Sequence, residues 1–189
     1  MTAEQMYKFL TALENQIRMM KENMDTTKIA QVIDALQNAK SIFVLGAGRS
    51  GFVAKSFAMR LMHCGLNVYV VGETVTPRIE KEDVLIAISG SGETTSVVNI
   101  SRKAKELIGS KLIAVTSNPD SSIGRMADVV LLVKGKVKTE RDEELSKIAP
   151  LGTMFELMVM IFLDALIAEL MSVRNLTEKD LEDRHAVLE

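Results

Sequence analysis

The chain has one cysteine and two histidines. A single cysteine, Cys64, excludes an internal disulfide and a cysteine-rich zinc site. It follows the apolar stretch Leu61-Met62-His63, which favours plain burial over thiol chemistry. His63 and His185 lie far apart with no clustered acids, so no metal site is expected. Charge of one sign is also missing: 23 basic residues face 25 acidic ones, for a formal net charge of −2. No basic stripe or aromatic-basic interleaving appears, which argues against a nucleic-acid partner. A small anion needs only a local positive field and is not excluded. Long hydrophobic runs are absent as well. The most apolar window, Leu157 to Leu170, is broken by Asp164 and Glu169 and is too short to span a bilayer. Met1-Thr2-Ala3-Glu4-Gln5 lacks a charged segment leading into an apolar one. No signal peptide is therefore expected, and the expected location is cytoplasmic, without membrane association.

What is present suits a single domain over residues 1–189, with a helical segment at 1–40 and a tail helix at 173–189. Met6, Leu10, Leu13, Ile17, Met20 and Met24 alternate spacings of four and three, a heptad-like seam on one helix. That helix either docks on its own domain or packs against a partner subunit. Thr26-Thr27 fits an N-cap for a second helix lined by Ile29, Val32, Ile33 and Leu36.

From residue 41 the pattern becomes alternating strand and helix. Short runs rich in valine and isoleucine at 41–46, 67–71, 84–88, 112–116 and 128–133 read as strands buried on both faces of a parallel sheet. Helical stretches fall at 50–64, 94–108 and 120–126, and a long apolar helix at 153–172. The fold class is α/β: a doubly wound, three-layer αβα sandwich with a five-stranded parallel sheet, N-terminal helices and a C-terminal helix. The charged stretch 134–149 reads as a solvated loop, with room for a mobile flap over a site. The tail opens with an N-cap and an acidic first turn at Thr177-Glu178-Lys179-Asp180.

Two glycine-rich loops follow two of these strands. One is Gly46-Ala47-Gly48-Arg49-Ser50-Gly51; the other is Ser89-Gly90-Ser91-Gly92-Glu93-Thr94. Each leads into a helix, so each offers free backbone N–H groups and a helix N-terminus to an anion, and the second adds hydroxyls. Small residues let a phosphate approach the backbone. The first loop also matches G-x-G-x-x-G, with Glu73 placed where a ribose-binding acid would fall. Three features weigh against a dinucleotide. A second hydroxyl-rich loop is superfluous there, Gly72-Glu73-Thr74 lies past its strand and leads to Thr76-Pro77, and little chain remains for a second substrate domain.

S-x-S-G-x-T after a buried strand, with G-x-G-x-S upstream, resembles the sugar isomerase (SIS) domain family, whose sheet is flavodoxin-like. Residues 57–63, Gly72-Glu73-Thr74-Val75-Thr76-Pro77, Pro150-Leu151-Gly152-Thr153-Met154-Phe155-Glu156 and Arg184-His185 are similar to its 6-phospho-3-hexuloisomerase branch. The resemblance runs from about residue 30 to the C-terminus. It implies interconversion of 3-hexulose 6-phosphate and fructose 6-phosphate without a cofactor, in formaldehyde fixation or ribulose 5-phosphate supply, by a homo-oligomer, commonly a tetramer. It further implies that Ser50, Ser89, Ser91 and Thr94 hold the phosphate, assisted by the backbone at Gly48, Gly90 and Gly92. Glu156 would be the base, and His185 would serve its own or a neighbouring subunit's site. Gly90 departs from the polar residue often found in the family, leaving a backbone contact only.

On the residues alone, other readings stay open. Glu156 also fits a capping-box partner for Gly152 or Thr153. Arg49 either polarises substrate oxygens or pairs with an acid such as Glu73 or Glu93. His63 reads as a buried structural histidine. A non-catalytic phosphosugar-binding domain and an aldose–ketose isomerase of the same fold are the rival functions.

Overall fold

The computed structural model describes residues 2–138 and 143–188. Its centre is a parallel sheet of five strands: β1 (Ile42–Gly46), β2 (Val68–Val70), β3 (Val84–Ile88), β4 (Lys111–Thr116) and β5 (Val129–Leu132). Their spatial order is β2-β1-β3-β4-β5. The order reverses between β1 and β3, the point where open α/β sheets leave a crevice at the carboxyl ends of their strands.

The five strands fall where the hydrophobic runs predict them, and both sheet faces are covered, as a parallel sheet requires. Ile42, Val44, Ile86 and Ile113 point into one core with α2 (Thr26–Asn38), α3 (Arg49–His63) and α7 (Thr153–Arg174). Phe43, Leu45, Leu85 and Leu112 point into the other, with α4 (Thr95–Arg102) and α5 (Ser122–Met126). This alternation along each strand follows from the two-residue period of the pleat. The segment after α4 continues as a π-helical turn, Lys103–Ile108, where a uniform helix is expected from the sequence.

The first helix, α1 (Glu4–Glu22), has no fully buried residue. Leu13 and Met20 rest against the core, while Met6, Leu10, Ile17 and Met24 stay exposed, so the heptad seam is only partly used within this chain. The N-cap of α2 is Asp25, one residue earlier than expected: its carboxylate accepts from the Thr27 and Lys28 amides. The expected N-cap and acidic first turn at Thr177–Asp180 form a capping box. The helix they open, α8 (Glu178–Glu182), is shorter than the expected tail helix at 173–189, whose first residues belong to α7.

The charged stretch after β5 differs from the expected solvated loop. Lys136 and Val137 are buried, and Glu143–Ile148 forms α6. Residues 139–142 of that stretch lie outside the described residues. Among the described residues, no helix is long and apolar enough to cross a membrane.

Candidate active site at the sheet switch point

The two glycine loops leave neighbouring strands side by side, with Gly46 paired to Ile88 at the last rung. Gly46 has no room for a side chain, because a Cβ would sit 2.6 Å from the Ser50 carbonyl oxygen. The strand end and the first turn of α3 are therefore in close contact, which is the structural work of the G-x-G-x-x-G pattern here. Gly48 is the N-cap of α3, with φ of 58°. Behind it come Arg49, exposed, and Ser50, half-buried.

The second loop is braced from within. Ser89 is 3% exposed, and its Oγ accepts from the Gly92 amide and lies 3.1 Å from Thr94 Oγ1. Ser91 Oγ accepts from the Glu93 amide. Thr94 is the N-cap of α4, yet its side chain makes no cap hydrogen bond. The first-turn amides of α4 are thus left without a side-chain cap, at the end of the helix that favours negative charge. Gly92 has φ of 69°, and a Cβ there would fall 1.9 Å from Ser121 Oγ, so only glycine closes this turn.

Neighbours missed by the sequence reading hold the loop from outside. The Gly90 carbonyl accepts from the Ser117 amide and hydroxyl and from Thr116 Oγ1, all at the end of β4. Their signal is the hydroxyl-rich Thr116-Ser117-Asn118 after a strand, but only the strand order shows that it adjoins the second loop. Glu93 accepts from the amide and hydroxyl of Ser122, tying the loop to the start of α5. These two hydrogen bonds, and after them the charge of Arg125, hold its carboxyl below the usual range. The departure at Gly90 has a steric reason: a Cβ would stand 2.6 Å from Val137 Cγ1 and 3.0 Å from Phe155 Cδ1.

Phe155 carries the acid into place. It is 2% exposed, and burying such a ring stabilises by roughly 1.5–3 kcal/mol, which fixes the first turn of α7 against the sheet end. The next residue, Glu156, accepts a hydrogen bond from Arg49 Nε across 107 residues of sequence. The Glu156 side chain is 15% exposed and that of Arg49 61%. Arg49 therefore pairs with Glu156, not with Glu73, which pairs with Lys55, or with Glu93. Gly152, the N-cap of α7, bonds the Glu156 amide through its carbonyl, while the Glu156 carboxylate turns to Arg49. Beside the pair, Phe52, Val53, Leu157 and Met160 complete a cavity of about 210 Å³, with Phe52 and Met160 exposed at its rim.

The chain does not bring His185 to this site. Its ring stacks on His63, centroids 5.2 Å apart, at the far end of α3. Fifteen residues of helix put that end roughly 20 Å from Arg49. Arg184 docks the tail there through the His63 carbonyl. His63 is 2% exposed, as a structural histidine should be. Burial, then the charges of Arg60 and His185, push its pKa below the ordinary value.

The arrangement sets two glycine-rich loops, each opening a helix without a side-chain cap, beside a carboxylate–guanidinium pair at a sheet switch point. The SIS domain model matches residues 35–167, and the chain belongs to the SIS domain family. More particularly, it is 39% identical over 181 residues to 3-hexulose-6-phosphate isomerase of Bacillus subtilis, covering 96% of this chain and 97% of that one. A crystal structure of a Methanococcus jannaschii protein, inferred to be a 3-hexulose-6-phosphate isomerase, matches with a TM-score of 0.85 and 40% identity. The match covers 95% of this chain and 98% of that one. A protein of Archaeoglobus fulgidus to which no function is attached is 65% identical, over 97% of this chain and all of that one.

Proposed function

We propose that this protein interconverts 3-hexulose 6-phosphate and fructose 6-phosphate. The observation that carries the reading is the Arg49–Glu156 pair beside the two anion-binding loops. In this reading the loop Ser89–Thr94, with Ser50 and the amides at Gly48, Gly90 and Gly92, holds the phosphate. The carbon chain then extends toward Glu156.

Shifting the carbonyl from C3 to C2 begins with loss of the C2 proton to the Glu156 carboxylate. The electrons move through C2–C3 onto O3, giving a cis-enediolate. O3 gains a proton, O2 loses one, and the acid returns its proton to C3. Hydrogen count and charge are unchanged, so the step needs neither oxidant nor reductant. Arg49 has a natural place in it. Once Glu156 is protonated its hold on the guanidinium weakens, just as negative charge appears on the substrate oxygens.

His185 would act from a neighbouring subunit, on ring opening or the sugar hydroxyls, since its own chain holds it at the other end of α3. That role requires a homo-oligomer, and a tetramer is the assembly that the family resemblance implies. The cellular setting that fits is formaldehyde fixation onto ribulose 5-phosphate, or its reversal, in the cytoplasm.

The test is proton NMR of fructose 6-phosphate with the protein in deuterium oxide. Deuterium at C3 with new 3-hexulose signals is the expected result. Deuterium at C1 would make the enzyme an aldose–ketose isomerase. Binding without exchange would make it a phosphosugar sensor.

A further inference from the structure

Lys136 is a lysine where the charge pattern predicts solvent, yet it is 7% exposed. The segment that carries it is a strap running between the second loop and the first turn of α7. Val137 packs over Gly90, and a Cβ on Gly135 would lie 2.9 Å from the Phe155 amide nitrogen. Between these two contacts, Lys136 Nζ donates to the Leu151 carbonyl at 3.3 Å.

Leu151 is unusual in its own right. Its φ is 56°, in the left-handed region that a branched side chain rarely occupies, and its side chain is exposed. Exposed leucine gains little from its own packing to offset that strain, so the conformation is imposed by its surroundings. Among the described residues, the charge-assisted bond from Lys136 acts on the strained residue's own carbonyl. The following residue, Gly152, lies under the acid: a Cβ there would be 3.4 Å from Glu156 Oε1. Thr153 closes the turn through its amide and hydroxyl, both donating to the Pro150 carbonyl. A rotation at Leu151 would swing Gly152 and the start of α7, and with them the carboxylate that Arg49 holds.

We infer that Lys136 is a positioning residue: its bond to the Leu151 carbonyl holds the left-handed turn that aims Glu156 at the substrate. The inference rests on Glu156 being the base, and its test separates the two. In Lys136→Met, kcat should fall roughly ten- to hundredfold, the scale of a catalytic group displaced by about an ångström. The KM and the inorganic phosphate inhibition constant should stay within about twofold, because the loops are untouched. Lys136→Arg should keep most of the activity. Adding Leu151→Gly to Lys136→Met should restore it, since glycine adopts the left-handed turn unaided. Wild-type kcat in Lys136→Met, or no recovery in the double variant, overturns the inference. If the wild-type protein turns over neither sugar phosphate, the isomerase reading fails by itself. The crystal structure of Lys136→Met then decides: loss of the left-handed Leu151 and of the Arg49–Glu156 pair upholds the positioning role, and their retention refutes it.

Discussion

Replacing Glu156 with glutamine removes a proton acceptor and leaves the shape of the side chain. The amide oxygen still accepts from Arg49, so the pair loses its charge but not its contact. Arg49 is 61% exposed, and an ion pair with one partner so open contributes at most about 1 kcal/mol. The core around Phe155, Met158 and Val159 is untouched, so the folded state should survive with little change in Tm. Catalysis should not. A lost acid–base group costs about a hundredfold to ten-thousandfold, equivalent to about 3–5 kcal/mol in the barrier. The assay follows fructose 6-phosphate formation from the 3-hexulose ester. Inorganic phosphate inhibition and thermal unfolding are measured on the same preparation. The expected outcome is a kcat lowered by at least about a hundredfold, with phosphate inhibition and Tm near wild type. Turnover within about tenfold of wild type would remove Glu156 as the base. A collapse of Tm would mean that the pair is structural.

Ser91→Ala and Thr94→Ala should raise the inhibition constant for inorganic phosphate; unchanged inhibition would put the phosphate elsewhere. His185→Ala should lose activity moderately, and oligomers mixed with Glu156→Gln subunits should regain part of it. No recovery in any mixture would argue against service to a neighbouring site. His63 titrates below its ordinary value when folded because burial, then Arg60 and His185, oppose its charge. The unfolded chain therefore takes up a proton near pH 6.5 that the folded one refuses, so stability is fully present above that pH and is lost as pH falls toward the folded value. Denaturant titrations of His63→Gln should show a flatter slope in that acid window, and an identical slope would refute the assignment.

Strands and loops were legible in the sequence because each is local: a run of branched apolar residues, then glycine and serine before a helix. The same locality hid the partner of Arg49. Glu73 and Glu93 were the plausible acids by proximity in the chain, whereas Glu156 arrives only through the packing of Phe155 against Gly90 and Gly135. Lys136 was hidden differently. Its neighbours are charged, so an average over the stretch predicts solvent, while the strap needs one buried lysine to reach the Leu151 carbonyl. His185 was raised by the family resemblance alone, and the chain path sets it at the other end of α3.

Helix α7 supplies Met154, Phe155, Met158, Val159, Phe162 and Leu163 to the core beneath β1, β3 and β4, and it also carries Glu156. During synthesis both loops emerge long before it does. Until this helix arrives, α2 and α3 cover that face of the sheet only in part, and the second loop lacks the Phe155 ring that packs at Gly90. The packing that completes this core is therefore also what sets Glu156 beside Arg49.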